Sequence, residues 1–401
     1  MAVGRRTDSD SLELLSGNYS AALGAKLCRA QVISAYPITP QTTVVERLAE
    51  YVAQGELDAK FIPAESEHSA LSILVAASAG GVRTFTATSR HGIALMHEVM
   101  HWAGRGRCPI VMAVATASLG PPPDIGIEQD DAMVERDVSW IQFYCQSNQE
   151  ILDTIIMAYR IGELVSLPVM VAYDGFITSH TYEPVLVPDI ETVDSFLPPR
   201  QTRFKLDTED PLRFFASPGA VGGAGYLSKL RRRAQDAMEV AQGVAKEVNE
   251  EFYEHFGRRW DAIECYRTDD AETILVAMTS VASIAHEVVD ELRREGKKVG
   301  LLRVAMLRPF PIEDIAPVLQ NALKVAVIDR NISHGHGGIL ALELRAAMYG
   351  ERKRPPIFGF IGGLAGLSVT AKDIRQTIEY AESHEEPESG ILWLGIPAWE
   401  E

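Results

Sequence analysis

Tyr36-Pro37-Ile38-Thr39-Pro40 ends one short apolar run, and Pro63-Ala64-Glu65-Ser66-Glu67-His68 follows a second and opens a helical stretch. Two prolines hold the first segment extended and keep the next helix from reaching back, which aims the Thr39 hydroxyl off the strand end. The plain alternative is a strand-to-helix turn with Thr39 as N-cap and Pro40 at the first helical position. In the second segment Ser66 reads as an N-cap, so Glu65 and Glu67 meet the positive end of a helix. That is ordinary capping unless one carboxyl is buried in a cleft, where it could bond a cofactor nitrogen and tune its protonation. Thr86-Ala87-Thr88-Ser89-Arg90-His91-Gly92 carries a strand into a third helix through small polar residues. Free N–H groups at such a start bind anions, Arg90 adds a fork that matches a carboxylate, and His91 is a candidate donor or general acid/base. Open α/β sheets place their chemistry at strand ends just ahead of helix N-termini. No complete catalytic set surrounds these residues, which points to half of an active site completed by another chain.

Other stretches carry weaker signals. The loop Gly120 to Asp131 holds three consecutive prolines and the acids Asp124, Glu128, Asp130 and Asp131, which suggests a site wall or a subunit contact. His334-Gly335-His336-Gly337-Gly338 invites a zinc reading, but no third or fourth ligand is near in sequence, so a glycine-built turn before a helix is expected and no metal ligand is assigned. Neither this stretch nor Gly362-Gly363-Leu364-Ala365-Gly366 has the G-x-G-x-x-G spacing after a first strand, which weakens a dinucleotide-binding reading.

The elements that must position these groups alternate as βαβ units. Ala21–Ala30, Gln41–Gln54, Ser66–Ala79, Gly92–Ala103 and Ile151–Val165 read as helices; Gln31–Tyr36, Val82–Thr88, Pro109–Ala115 and Leu167–Tyr173 read as strands. The expected fold class is α/β, a doubly wound parallel sheet domain over residues 1–195. Residues 196–270 change character: Pro198, Pro199 and the glycine-rich stretch Gly219–Gly225 lead into a charged helical segment, Leu227–Phe256, read as a connector packing across domains. A second α/β domain is expected over 271–401, with strands at Thr273–Met278, Lys298–Val304, Lys324–Ile328 and Ile357–Ile361 separated by helices.

Composition sets outer limits. The 401 residues are 46% hydrophobic, enough for two or three cored domains. No apolar run approaches the ~20 residues of a membrane span, and the start lacks a signal peptide's apolar core, so the expected compartment is the cytoplasm. A net charge of −17 argues against a nucleic-acid surface, since phosphate binding needs clustered positive charge. The basic cluster Lys229 to Arg233 is short. Four scattered cysteines, Cys28, Cys108, Cys145 and Cys265, cannot by spacing hold an iron–sulfur cluster, and Cys28 and Cys145 read as buried thiols.

Tyr36-Pro37-Ile38-Thr39-Pro40-Gln41-Thr42, Ile62-Pro63-Ala64-Glu65-Ser66-Glu67-His68-Ser69-Ala70, Thr86 to Ser89 with Gly92, Asp174-Gly175-Phe176-Ile177-Thr178-Ser179-His180, and Asp329-Arg330-Asn331-Ile332-Ser333 with Gly335 to Gly338 occur in one order. On these motifs, from about Ser16 to Ile374, the chain resembles the α chains of the 2-oxoacid:acceptor oxidoreductases, the pyruvate:ferredoxin oxidoreductase superfamily. The resemblance implies a pyrimidine-type thiamine diphosphate-binding domain followed by a transketolase C-terminal-like domain. It implies oxidative cleavage of a 2-oxoacid with coenzyme A to an acyl-CoA and carbon dioxide, electrons leaving through [4Fe-4S] clusters to ferredoxin or, through a flavin subunit, to NAD. Thiamine diphosphate would be shared with a β subunit that holds its diphosphate through Mg2+; the Gly-Asp-Gly…Asn pattern for that metal is missing here. Gamma and ferredoxin-like subunits complete the implied assembly, a dimer of hetero-oligomers, with the clusters on partner chains.

By the same resemblance Glu67 matches the carboxyl that bonds the cofactor's pyrimidine nitrogen, with Tyr36, Pro37 and Ile38 beside the cofactor. Thr39 and Pro37 match the substrate side, near its carboxylate. Pyruvate-type members carry an arginine for that carboxylate in a stretch like Asn-Arg-Ala-Leu-Ser, where this chain has Thr116-Ala117-Ser118-Leu119-Gly120. Their Ser-Ser-Gln-Gly is here Ser89-Arg90-His91-Gly92. A buried carboxylate without a partner is costly, so Arg90 is expected to bind it from another side, with Ser89 and His91 alongside. Loss of a side chain at position 117 and the prolines Pro121 to Pro123 make room for a bulkier substrate, aromatic such as phenylglyoxylate or branched, over pyruvate. The alternatives are a pyruvate:ferredoxin oxidoreductase α chain and a non-catalytic scaffold of such a complex.

Overall fold

Thr84–Thr88 and Val111–Thr116 are buried at every position, as strands covered by helices on both faces must be. The computed structural model, which describes residues 10–120, 124–204, 206, 209, 225–388 and 390–396, makes them central strands. The prolines 121–123, and the glycine-rich stretch up to residue 224, lie outside the described residues. The first unit runs β1 (Ser11–Ser16), α1 (Gly17–Leu27), β2 (Val32–Ala35), α2 (Thr42–Ala53), β3 (Lys60–Pro63), α3 (Glu67–Gly80), β4 (Thr84–Thr88), α4 (His91–Arg105), β5 (Val111–Thr116) and α5 (Asp130–Met133). It continues through a 3-10 turn (Val134–Asp137), β6 (Ile141–Cys145), α6 (Asn148–Val165), β7 (Val169–Asp174), α7 (Ile177–His180), β8 (Tyr182–Val187) and α8 (Ile190–Phe196).

The helix α9 (Tyr226–Phe256) follows. Its alanine stripe Ala234, Ala237, Ala241 and Ala245 is buried, and Phe252 and Phe256 stack edge to face on Phe196 of α8. The second unit comprises β9 (Ile263–Tyr266), β10 (Thr273–Ala277), α10 (Thr279–Arg294), β11 (Val299–Val304), β12 (Met306–Arg308), α11 (Ile312–Leu319), β13 (Lys324–Asp329), α12 (Ile339–Met348), β14 (Ile357–Gly362), α13 (Ala371–Ser383) and β15 (Leu392–Leu394). Gln242 and Lys246 of α9 bond Asp314 of α11, so the long helix touches both units.

The first sheet has the order β12-β6-β7-β5-β4-β2-β3 and the second β15-β14-β13-β10-β11-β9. All neighbours pair in parallel except the edge strands β12 and β9. The α/β class expected from alternation is present. Two details differ from expectation. β9 falls in the stretch read as connector yet pairs with β11 of the second sheet, and β12, from the second unit, closes the edge of the first by pairing with β6. Both are short edge strands whose pairing is decided by tertiary contact, which local periodicity does not encode.

Thr39 is not an N-cap. Helix α2 begins at Thr42 after Gln41, because Gln41 N–H closes a turn onto the Ile38 carbonyl and its side-chain amide bonds the Tyr36 carbonyl. Ser66 does cap α3, accepting from Ser69 N–H, and the Asp329 and Asn331 carboxyl and amide oxygens cap α12 through Leu340, Ala341 and Ile339. The His334-to-Gly337 stretch is a tight turn, Ser333 bridging to Gly337. Among the described residues no group of three or more His, Cys, Asp or Glu could hold a metal ion, and no helix is long and apolar enough to cross a membrane.

Candidate active site

Chain direction reverses between β2 and β4: β2 leads outward to β3, after which the chain crosses back to β4. Such a switch point opens a crevice beyond the carboxyl ends of the strands. The segments after β2, β3, β4 and β5 meet there. The first is held from beneath by Asn18 of α1, whose amide bonds the Pro40 carbonyl at 2.8 Å and Thr43 Oγ1 at 2.8 Å while its oxygen accepts from Tyr173 at 2.9 Å. Pro40 is thereby buried while Tyr36, Pro37 and Thr39 stay exposed and Ile38 half-buried. Asn18 was missed in the sequence because nothing local marks a helix asparagine as a support for a distant loop.

Glu65 and Glu67 part company. Glu65 is exposed and accepts from Ser69 Oγ, which holds its carboxyl below the ordinary range. Glu67, at the first turn of α3, is 6% exposed and has no hydrogen bond or ion pair among the described residues. Its neighbour is Gly92 at the start of α4: a Cβ there would lie 2.7 Å from Glu67 Oε1 and 2.5 Å from Thr88 Oγ1. Thr88 Oγ1 is itself buried without a partner among the described residues. The Thr88 hydroxyl, withdrawn from water without a partner, costs free energy unless a ligand completes it, and the Glu67 carboxyl beside it is left free to bond one.

Arg90 links β4 to α4 with φ of +51°, a left-handed conformation that costs a non-glycine residue about 1 kcal/mol or more and persists only when neighbours enforce it. Asp131 enforces it: Oδ2 accepts from Arg90 N–H at 2.8 Å and from Ala117 N–H at 3.0 Å, and Oδ1 from Ala132 N–H. One fully buried carboxyl thus ties the ends of β4 and β5, and burial pushes it up to about 7 against those three donors. The Arg90 side chain is buried, touches the Ser118 carbonyl through Nε at 3.4 Å and forms no ion pair among the described residues. Ser89, expected on the substrate, has a different job: its hydroxyl is fully buried and donates to the Ala115 carbonyl at 2.6 Å, tying two strands. His91 is exposed and accepts from Gly120 N–H at 3.1 Å, so its ring pins the loop after β5. Ala117 is fully buried.

The acids of the 120–131 loop go elsewhere than expected. Glu128 accepts from Ala365 N–H, Asp130 from Ile332 N–H, and Gln129 N–H donates to the Arg330 carbonyl, so the loop is a seam with the second unit of the same chain. Burial raises both Glu128 and Asp130 above the ordinary carboxyl range. Only Asp131, buried in the same run, turns back to the strand ends.

Comparison with known proteins places this geometry. Residues 23–250 match the family described as pyruvate flavodoxin/ferredoxin oxidoreductase, thiamine diphosphate-binding, and residues 271–374 match pyruvate:ferredoxin oxidoreductase core domain II. The chain is 46% identical over 387 residues to the pyruvate synthase subunit PorA of Methanothermobacter thermautotrophicus, covering 96% of this chain and 98% of that one. It is 42% identical over 369 residues to the ketoisovalerate oxidoreductase subunit VorA of Pyrococcus horikoshii, covering 92% of this chain and 93% of that one. A 2-oxoglutarate:ferredoxin oxidoreductase from Magnetococcus marinus, solved with 2-oxoglutarate, coenzyme A and succinyl-CoA bound, shares the fold at a TM-score of 0.73 and 20% identity, over 94% of this chain and 66% of that one. The thiamine diphosphate-binding architecture expected from the motifs is therefore present, and this chain belongs to the pyruvate flavodoxin/ferredoxin oxidoreductase family as an α subunit of its 2-oxoacid:ferredoxin type.

Proposed function

We propose that this chain forms the pyrimidine-side half of a thiamine diphosphate site in an enzyme that converts a 2-oxoacid and coenzyme A to an acyl-CoA and carbon dioxide, passing electrons to ferredoxin. The observation that carries this reading is Glu67: a largely buried side chain whose carboxyl has no partner among the described residues, packed beside Gly92, where a Cβ would lie 2.7 Å from it. Those features fit the cofactor's ring, which needs one carboxyl at a nitrogen and a clear face. When bound, thiamine diphosphate supplies the electron sink for the pair left behind as carbon dioxide departs. Glu67 would hold a proton at its carboxyl against the ring nitrogen and so set the ring's protonation. Tyr36, Pro37 and Ile38 would flank the ring, and Thr39 and Arg90 would bind the substrate carboxylate, Arg90 as a fork.

The other half of the site belongs to partner chains: a β subunit with Mg2+ and the diphosphate, with iron–sulfur clusters on it and on further subunits. The large apolar side chains left exposed support this, since Tyr36 at 41%, Ile62 at 36% and Leu95 at 51% sit on the strand-end segments and on α4. A substrate bulkier than pyruvate, branched or aromatic, is supported by the small Ala117 side chain where the resemblance implies an arginine in pyruvate-type chains.

The test is Glu67→Gln in the reconstituted multi-subunit complex. The expected result is intact assembly with 2-oxoacid-dependent ferredoxin reduction lowered by about 100-fold or more, the usual worth of a positioned proton-transfer group. Full activity would refute the assignment. Comparing pyruvate, 2-oxoisovalerate and phenylglyoxylate on the native complex checks the size argument, which a clear preference for pyruvate would overturn.

A further inference from the structure

At the far end of α4 from His91, about 21 Å away at 1.5 Å per residue, five arginines face one void. Arg105 closes α4, Arg136 lies in the 3-10 turn, Arg231 and Arg232 lie in the second turn of α9, and Arg308 ends β12; together they line a cavity of about 570 Å3. The concentration runs against the composition of the chain, whose net charge is −17. It also takes in Arg231 and Arg232 of the basic run Lys229 to Arg233, which the proposed reaction leaves without a role.

The wall carries a single carboxylate, Asp137. Behind it Arg136 and Arg308 share Glu343, and Arg232 pairs with Asp236 one turn along its own helix. Arg105 and Arg231 form no ion pair among the described residues; Arg105 bonds the imidazole of His101, Nη2 to Nδ1 at 3.2 Å. Burial and the nearby Arg231 charge push Arg105 below its ordinary value, and burial and then the Arg105 charge hold His101 low. Guanidinium groups brought together in a partly enclosed space repel one another, and that repulsion is relieved by an anion of matching charge.

We propose that this cavity binds a small molecule carrying two or more phosphate groups. Arginine forks engage phosphate oxygens in pairs, and several forks around one volume call for charge denser than a single carboxylate. A volume of this size lies within the ~300–1,000 Å3 of small-molecule sites. The base or sugar of a nucleotide would meet the apolar part of the wall, Met238 and Ala234.

Isothermal titration calorimetry on the purified multi-subunit complex, with inorganic pyrophosphate, ATP and monophosphate as probes, decides the matter. The expected result is binding of pyrophosphate and ATP at least tenfold tighter than monophosphate, weakening as salt rises. Equal affinity of the two means that the phosphates alone are read; tighter ATP means that the wall also reads the nucleoside. Arg231→Ser, on an exposed helix face, and Arg105→Gln should each weaken binding at least tenfold while ferredoxin reduction stays unchanged. Absence of binding by both diphosphate-bearing probes, or binding untouched by both variants, overturns the proposal. So does loss of a partner subunit from the Arg231→Ser complex, which would show an acidic protein segment as the occupant.

Discussion

Arg90 combines burial, a left-handed backbone and a guanidinium facing no acid among the described residues. A charge so placed is stabilised by what binds it, so Arg90→Met should raise the KM for the 2-oxoacid at least tenfold while kcat falls less, with Arg90→Lys restoring part. Steady-state kinetics that leave KM unmoved would remove Arg90 from the substrate. Behind it, Asp131 makes a separable prediction about pH. Its unfolded carboxyl titrates near ~3.9, while burial raises the folded one to about 7. The folded state therefore holds the proton longer, and stability from this group falls as pH rises from about 4 to about 7, levelling beyond. Asparagine cannot titrate, so the melting-temperature advantage of the native chain over Asp131→Asn should shrink across that window. A gap that stays constant with pH would show Asp131 ionised throughout. Asp131 was visible in the sequence only as one acid among four, since four carboxylates on one loop look alike until Glu128 and Asp130 turn to the second unit and Asp131 turns to the strand ends.

At the scale of elements, α3 and α4 bring their N-termini together over the ends of β3 and β4, and Gly92 is the point of contact. Gly92→Ala should leave the fold standing but displace the Glu67 carboxyl or the Thr88 hydroxyl, because a methyl would fall within 2.7 Å of one and 2.5 Å of the other. Ferredoxin reduction is expected to drop at least tenfold with little change in the melting temperature; full activity would mean that the carboxyl has room to spare. Gly92, Glu67 and Ser66 were legible because strand, cap and helix follow one another in sequence, and the caps and apolar runs fix them locally. The helices of both units fall within a few residues of where periodicity puts them, α2 at Thr42–Ala53 against Gln41–Gln54. What sequence could not supply was pairing between distant pieces. β6 went unassigned between turns, β12 crosses to the other unit's sheet, and the bonds of Asn18 to the Pro40 loop join residues more than twenty positions apart. The same holds for Ser89, whose hydroxyl looks free in a strand-end motif and is claimed by the neighbouring strand's carbonyl.

Across the whole molecule, the carboxyl ends of the two sheets face each other through Asp174. This residue ends β7, yet its carboxylate is buried against the second unit: it pairs with Arg330 after β13 at 3.0 Å and accepts from the backbone N–H and the hydroxyl of Ser280 at the start of α10. The second sheet also reverses direction between β10 and β13, which is where an α/β unit opens a crevice for an anion at a helix start. Here the anion is supplied by the first unit, so that crevice is filled by the chain itself and becomes a joint. Gln129 extends it, donating to Thr279 Oγ1 and to Asp174. Breaking one side of a buried pair leaves an uncompensated charge and costs ~3–5 kcal/mol. Arg330→Leu should therefore lower the melting temperature sharply in scanning calorimetry, and the double variant with Asp174→Asn should recover part of the loss, since the stranded charge is gone. A double variant no more stable than the single one would mean that Arg330 acts by packing against Gly363 rather than through its charge. Because Gln129 lies two residues from Asp131, which ties down Arg90 and Ala117, loosening the joint should also raise the KM for the 2-oxoacid, coupling domain seam to substrate site along one short stretch of chain.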